Sequence, residues 1–294
     1  MRPQHALRGR EPVDVEVPAE IDRVGGVFRQ ALRRGFSSAS DASVAAWVQS
    51  LPRADQSVAV EGVAMAVAWM QRATRSDRTW EGLSAALDDE HAVGLALGLG
   101  WALSWLGASP DAEMVGLPPL VRWRVVDGYG FRDGLVAPRR HVLRTIAPKQ
   151  IEGFGQAVWR QGLGRSLWYT TRGDVGEVRD VVNAFPSPVR PELWTGVGVA
   201  ATWIGCSSQP PMAQLRAAAG HDAHWLALGA ALAARTARDS GSLTARQVAP
   251  CRALAEGTPE ELALVTDRAE AALPLEADTP LFQRWKDDIA SRLA

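Results

Sequence analysis

The stretch Gly98-Leu-Gly-Trp-Ala-Leu-Ser-Trp-Leu-Gly107 decides how this chain is interpreted, because its pattern returns as Gly196-Val-Gly-Val-Ala-Ala-Thr-Trp-Ile-Gly205. The two stretches stand 98 residues apart and share three glycines, an alanine and a tryptophan. A second match joins Gln56-x-Val58-x-x-Glu61-Gly62 to Gln156-x-Val158-x-x-Gln161-Gly162. Two such matches indicate an internal repeat. We therefore predict two copies of one helical unit, packed as a pseudo-symmetric pair.

Helix signals dominate both copies, and no stretch alternates apolar and polar residues for long. Thr79 and the run Thr258-Pro-Glu-Glu261 have the composition of helix N-caps. The predicted fold is therefore all-α, a pseudo-two-fold duplicated helical bundle with roughly three helices in each copy. Helical length is seen in segments 58–70, 91–106, 120–131, 154–169, 194–204 and 224–238.

Proline positions and the limits of the repeat divide the chain into four parts of one compact domain. The predicted parts are a flexible N-terminal arm over 1–18, a first helical copy over 19–138, a crossover and second copy over 139–257, and C-terminal capping helices over 258–294.

Composition excludes several classes of function. The chain has 294 residues and a formal net charge of −1, which gives no electrostatic footprint for nucleic acid or an anionic membrane. The longest apolar run, 92–107, is shorter than the ~20 residues that cross a bilayer, so we do not expect an integral membrane protein. Without a secretory signal, Cys206 and Cys251 are interpreted as reduced thiols of a cytoplasmic protein, with a single disulfide as the alternative.

Small residues two apart recur in these segments, although glycine inside a helix costs ~0.5–1 kcal/mol relative to alanine. Two interpretations remain open: close crossing of packed helices, or a cavity floor where a ligand approaches the backbone. The pairs are Gly62 and Ala64, Gly98 and Gly100, Gly128 and Gly130, Gly162 and Gly164, Gly196 and Gly198, and Gly229 and Ala231.

Arg165 is the strongest local anomaly, because it lies in an apolar helical run on the same face as Gln161 and Trp168. A buried guanidinium needs a carboxylate partner, and the candidates are Glu61 and Asp127. The pair would either lock the helices together or anchor a carboxylate, phosphate or carbonyl of a ligand.

The stretch Asp127-Gly-Tyr-Gly-Phe-Arg-Asp-Gly134 contains Tyr129, one of only two tyrosines; the other is Tyr169. A tyrosine between glycines can direct its hydroxyl into the cleared space, where Asp127 would orient it or act as a base. The alternative is a polar helix end.

Asp88-Asp-Glu-His91 is interpreted as an acidic helix start, with a metal site as the alternative. Because no second ligand cluster stands at a recognisable spacing, we predict no metal and no cofactor. Twelve tryptophans are many for this length, and those beside the glycine pairs would either line an apolar ligand cavity or fill the core.

Several of these motifs resemble the UnbL-type bacterial family of unknown function, whose members occur in enediyne biosynthetic gene clusters beside an iterative polyketide synthase. The resemblance covers about residues 26–267 and implies action on a linear polyene. The residues that look family-defining are Asp127, Tyr129, Gln161, Arg165, Trp168 and Trp194.

The sequence leaves three hypotheses of function. The first is a cofactor-independent biosynthetic protein that binds, and transforms, an elongated hydrophobic polyene; the second is a non-standard terpene cyclase; the third is a non-catalytic scaffold for other biosynthetic enzymes. The candidate catalytic residues are Asp127, Tyr129 and Arg165, and the candidate ligand-binding residues are Glu61, His91, Trp101, Gln161, Trp168, Tyr169 and Trp194.

Overall fold

The computed structural model describes residues 16–74, 76–274 and 279–293, and this part of the chain is helical without a strand. Seven long helices form the frame: α1 (Glu16–Ser37), α3 (Arg53–Ala73), α5 (Ala92–Leu106), α7 (Trp123–Val136), α9 (Phe154–Thr170), α11 (Arg190–Ile204) and α13 (Ala223–Asp239). The remaining helices are α2 (Asp41–Ser50), α4 (Trp80–Ala86), α6 (Asp111–Met114), α8 (Pro138–His141), α10 (Val175–Asn183), α12 (Pro210–Ala219), α14 (Val248–Ala255), α15 (Pro259–Ala271) and α16 (Leu281–Leu293).

Neighbouring long helices run parallel and in chain order. On α5, Gly94 lies against Ser57 of α3, and Gly98, one turn later, lies against Glu61, one turn further along α3. The same progression relates every other consecutive pair of long helices, and the short helices make the return connections.

The glycine pairs make these close contacts possible. A side-chain carbon at Gly98 would meet the Glu61 carbonyl of the preceding helix at 2.4 Å, and one at Gly100 would meet the Val125 carbonyl of the following helix at 1.9 Å. The pairs on α7, α9 and α11 divide their contacts in the same way. Close helix crossing is therefore the interpretation that the structure bears out, and the glycines do not form a cavity floor.

The last long helices of the series contact the first ones, so the seven helices form a closed ring. At this junction the helices are shifted along their axes relative to one another. The turn after α13 reaches the start of α3, where the Ser242 hydroxyl donates to the Arg53 carbonyl at 3.4 Å. The start of α1 meets the chain that follows α11, where the Ser207 hydroxyl donates to Glu16 at 2.8 Å. The ends of late helices thus meet the beginnings of early ones, and the seven helices surround a central space.

The last two helices cap this ring. Thr258 and Glu261 form the predicted capping box at the start of α15, which packs on α13. On α16, Phe282 lies under the Arg124 guanidinium at the beginning of α7, 5.4 Å from the ring centre. The predicted capping by the C-terminal helices is observed in the described part of 258–294.

The structure bears on the predicted N-terminal arm and on the predicted repeat. The predicted arm over 1–18 lies outside the described residues except for 16–18, which already belong to α1. The offset of 98 residues spans three long helices, from α5 to α11. Each long helix packs on the next one in the same way throughout the series. The geometry therefore does not divide the chain into two copies, and the duplication stays a prediction.

Candidate functional site

The ring encloses a cavity of about 290 Å³, to which all seven long helices contribute side chains. Its wall is mainly apolar, and the polar side chains converge in the interior. The polar and aromatic lining residues are Phe28, Arg29, Ser57, Glu61, Trp101, Arg124, Asp127, Phe131, Arg165, Tyr169, Trp203 and Thr236.

An ion pair between α7 and α9 forms the centre of the polar group. Nη1 of Arg165 lies 2.8 Å from Oδ1 of Asp127, and both side chains are buried. Nε2 of Gln161 donates to the other carboxylate oxygen at 2.9 Å. Arg165 therefore has the carboxylate partner that its sequence context predicts. Burial acts to lower the pKa of Arg165, but the Asp127 and Glu61 carboxyl groups outweigh it and raise that pKa above its usual value.

Glu61 of α3 is the second carboxyl group of the cavity. Its Oε1 accepts the indole N–H of Trp101 at 2.5 Å, and Trp101 belongs to the neighbouring helix α5. Burial raises the pKa of Glu61, and the charge of Arg165 opposes that shift only in part. The neutral carboxylic acid is thus favoured at Glu61 relative to a carboxyl group in water.

Two further cations extend the polar group toward α16. Arg124 lies one turn before Asp127 on α7, with Nη1 3.5 Å from Oδ2 of Asp127. Burial lowers the pKa of Arg124 to about 10 and that of Lys286 to about 8, and Lys286 is also buried. Glu192 is half-buried, and the partial loss of water around it raises its pKa, an effect that the charge of Lys286 opposes. Arg124 and Arg165 both approach the Asp127 carboxylate from the cavity wall, and their guanidinium groups can also bind an anionic or carbonyl group of a ligand.

Aromatic rings form a continuous strip along the cavity wall. The ring centres of Phe28 and Trp101 are 4.7 Å apart, those of Trp101 and Phe131 are 5.2 Å apart, and those of Phe131 and Tyr169 are 5.1 Å apart. The guanidinium of Arg165 stacks on Phe131 at 4.4 Å. Such a strip suits a flat, conjugated or cationic ligand.

The structure brings together five of the candidate site residues. Glu61, Trp101, Asp127, Arg165 and Tyr169 all line the cavity. Gln161 stands behind them and contacts the site through its hydrogen bond to Asp127.

Four candidates lie elsewhere, contrary to their expected placement in the site. Tyr129 is buried beside Asp133, and burial together with that charge raises its pKa to about 12. Its backbone packs against Gly100, and its side chain is not part of the cavity wall. His91 is buried at the start of α5 beside Glu90, outside the cavity wall, and burial lowers its pKa.

Trp168 and Trp194 belong to the core and not to the cavity wall. Trp168 packs at the turn after α9, where its ring approaches Gly173. A helix residue three positions after Arg165 lies about 60° from it around the helix axis, and Trp168 is outside the cavity wall. For these two residues, the alternative that tryptophan fills the core is correct.

The sequence reasoning missed Arg124 and Phe28, which line the cavity, and Lys286, whose pKa responds to the charge of Asp127. A signal existed for Arg124, an arginine in an apolar run one turn before Asp127. Lys286 is one of only two lysines in the chain, but it reaches the site from α16, far away in sequence. No local pattern connects these elements.

The acidic side chains of the cavity, Glu61 and Asp127, can take part in proton transfer. A neutral Glu61 can donate a proton, and the Asp127 carboxylate can accept one within the same cavity. Among residues 16–74, 76–274 and 279–293, no group of three His, Cys, Asp or Glu side chains is placed to hold a metal ion. The absence of a cofactor requirement stays a prediction. Cys206 and Cys251 are buried and not joined by a disulfide.

Lys286 provides a test of the polar group. Because the folded protein holds Lys286 less protonated than the unfolded chain does, its contribution to stability rises between about pH 8 and pH 10.5. We expect Lys286→Met to increase the free energy of unfolding at pH 7 by about 1–3 kcal/mol and to remove part of the rise toward pH 10. Urea denaturation at both pH values measures this. If the variant is instead less stable than the original protein at pH 7, the prediction is wrong, and the charge of Lys286 stabilises the fold through Glu192 or Asp127.

Fold and cavity together define the class: a closed ring of parallel helices with a charged site at its centre. In the described part of the chain, no helix is both long and apolar enough to cross a membrane. The chain belongs to the family of proteins of unknown function DUF1702, whose family model matches residues 3–293. No curated protein and no solved structure matches the chain.

Proposed function

We propose that this protein binds an elongated hydrophobic polyene in the ring cavity and transforms it in the biosynthesis of an enediyne-type specialised metabolite. The observation that carries the proposal is an apolar, aromatic cavity with one charged group of side chains inside it. A conjugated chain would lie along Phe28, Trp101 and Phe131, with a carboxylate or carbonyl end near Arg124 and Arg165. The assignment to enediyne pathways rests on the resemblance of the motifs and not on the cavity.

The transformation we propose is a proton transfer that needs no cofactor. Glu61, in its neutral form, would give its proton to one carbon of the polyene, and Asp127 would remove a proton from another carbon, after which the proton returns from Asp127 to Glu61. Such a step conserves the composition of the ligand and shifts its double bonds. Aromatic rings beside the donor would stabilise the positive charge that develops.

Extraction of the protein from its producing bacterium, followed by mass spectrometry, tests the ligand class. A stoichiometric polyene in the extract is the expected result. An empty protein that co-purifies with a biosynthetic enzyme would contradict the proposal and favour the scaffold hypothesis.

A binding experiment in solution tests the location. Parinaric acid, a fluorescent conjugated polyene carboxylic acid, should quench Trp101 and Trp203 by energy transfer when it enters the cavity. Ala233 lines the cavity, so Ala233→Leu should weaken this binding by about tenfold or more, because filling a packed space costs ~1–3 kcal/mol.

The matched control is Ala217→Leu, which adds the same side chain at an exposed position of α12. It should leave the affinity for parinaric acid unchanged. Equal affinities of the two folded variants would place the polyene outside the cavity.

The aromatic strip also favours a second candidate, a non-standard terpene cyclase. Such enzymes surround carbocations with aromatic faces, as Phe28, Trp101 and Phe131 surround this cavity. Incubation with prenyl diphosphates distinguishes the two functions. Magnesium-dependent release of diphosphate would establish the cyclase and overturn the prediction that no metal is needed.

A further inference from the structure

Exposed apolar side chains gather at one end of the ring. Trp105 and Leu106 end α5 and are 46% and 37% exposed, Val136 ends α7 and is 60% exposed, and Ile146 is 42% exposed. The guanidinium of Arg132, one turn before Val136, lies 5.6 Å from the ring centre of Trp105. These side chains therefore belong to one continuous surface.

Two hydrogen bonds attach the segment after α8 to this surface. Nε2 of Gln150 donates to the carbonyl of Gly107 at 2.8 Å, directly after Leu106. Nδ1 of His141 lies 2.6 Å from the carbonyl of Ile146, which holds the loop against α8. The loop and the ends of α5 and α7 thus form a single face.

This face carries unbalanced positive charge. Residues 134–151 contain Arg139, Arg140, Arg144 and Lys149 but no aspartate or glutamate. The three arginines line one surface depression together with Ile146, and within the described residues none of the four cations forms an ion pair. This local excess of positive charge does not appear in the net charge of −1, because the compensating carboxylates lie elsewhere in the chain.

The same face adjoins the cavity. Val136 is both exposed and part of the cavity wall, together with Leu135. A ligand that leaves or reaches the cavity past Val136 would cross the apolar and basic surface.

We propose that this face, formed by Trp105, Leu106, Val136, Arg139, Arg140, Arg144, Ile146 and Lys149, binds peripherally to an anionic lipid bilayer. The apolar side chains enter the interface between headgroups and acyl chains, and the arginines contact lipid phosphates. Charge complementarity selects an anionic surface. The exposed apolar side chains at the cavity wall favour lipid over an acidic protein, because a bilayer is the phase in which an apolar ligand is held.

Vesicle flotation tests this surface without any ligand. The full chain should float with phosphatidylcholine vesicles that contain phosphatidylglycerol and should not float with pure phosphatidylcholine. Added salt should weaken binding, because exposed charges are screened. Since each arginine near an anionic surface contributes about 1 kcal/mol, the triple variant Arg139→Gln, Arg140→Gln, Arg144→Gln should bind on the order of 100-fold more weakly.

The matched control changes three other exposed arginines, Arg252→Gln, Arg268→Gln and Arg284→Gln, which alter the net charge by the same amount on α14, α15 and α16. This control should retain most of the vesicle affinity. Leu106→Ser with Ile146→Ser should weaken binding while the charge is unchanged.

Equal binding by the two triple variants would overturn the assignment of the face. Failure to float with anionic vesicles, together with capture by an acidic carrier protein that depends on the same three arginines, would replace the lipid surface by a protein partner. Because parinaric acid binding is measured without vesicles, this inference and the proposed function can fail separately.

Discussion

Gly100→Ala should prevent the chain from folding, or destabilise it by more than about 4 kcal/mol. The added carbon would lie 1.9 Å from the Val125 carbonyl oxygen and 2.8 Å from the Tyr129 amide nitrogen. Both are backbone atoms of a neighbouring helix, so relief requires α5 and α7 to separate. Soluble yield and urea denaturation measure the effect.

Gly26→Ala is the matched control for this prediction. Gly26 lies within α1, and a side-chain carbon there would have nothing within 4 Å. Because alanine reduces the entropy of the unfolded chain, this variant should gain up to about 1 kcal/mol of stability. If both variants fold equally well, the helices do not cross as closely as described.

Arg165→Ala should destabilise the protein by about 3–5 kcal/mol, because it leaves the Asp127 carboxylate buried with only Gln161 and the more distant Arg124. Asp127→Asn should be destabilising for the converse reason. In the double variant neither charge is left without its partner, so we expect a coupling energy of about 1–3 kcal/mol between the two changes. Urea denaturation of the four proteins measures this coupling.

The same chemistry on the surface provides the control. Arg172 and Asp22 form an ion pair at 2.8 Å whose side chains are 50% and 66% exposed. Arg172→Ala should cost less than about 1 kcal/mol. If Arg165→Ala costs no more than Arg172→Ala, or if the changes at Arg165 and Asp127 are additive, the buried pair does not stabilise the ring.

Local patterns predicted the helices well. Thr258 and Glu261 form the capping box that their spacing indicates, and Asp89, Glu90 and His91 lie in the turn that opens α5. The repeated glycine pairs indicated that the backbone is approached closely there, by a helix or by a ligand, and the structure shows that the approaching group is a neighbouring helix. The position of Arg165 in an apolar segment predicted a carboxylate partner, because burying an unpaired charge is costly.

Patterns along single helices were less successful in assigning side chains to the site. Tyr129 stands two residues after Asp127, and Trp168 three residues after Arg165, yet neither lines the cavity. The difference is a matter of rotation about the helix axis, which is set by the contacts of each helix with both neighbours.

The sequence by itself determined that this chain is helical and that an arginine in an apolar run needs a carboxylate partner. Each of these features can be predicted from the residues of a single helix. Only the tertiary structure decided that seven parallel helices close into a ring, that Glu61, Asp127 and Arg165 face one cavity, and that Lys286 approaches it from α16. These relations join residues on different helices, Glu61 and Arg165 being 104 positions apart, and no local pattern connects them. They arise because each helix must bury its faces against several other helices at the same time.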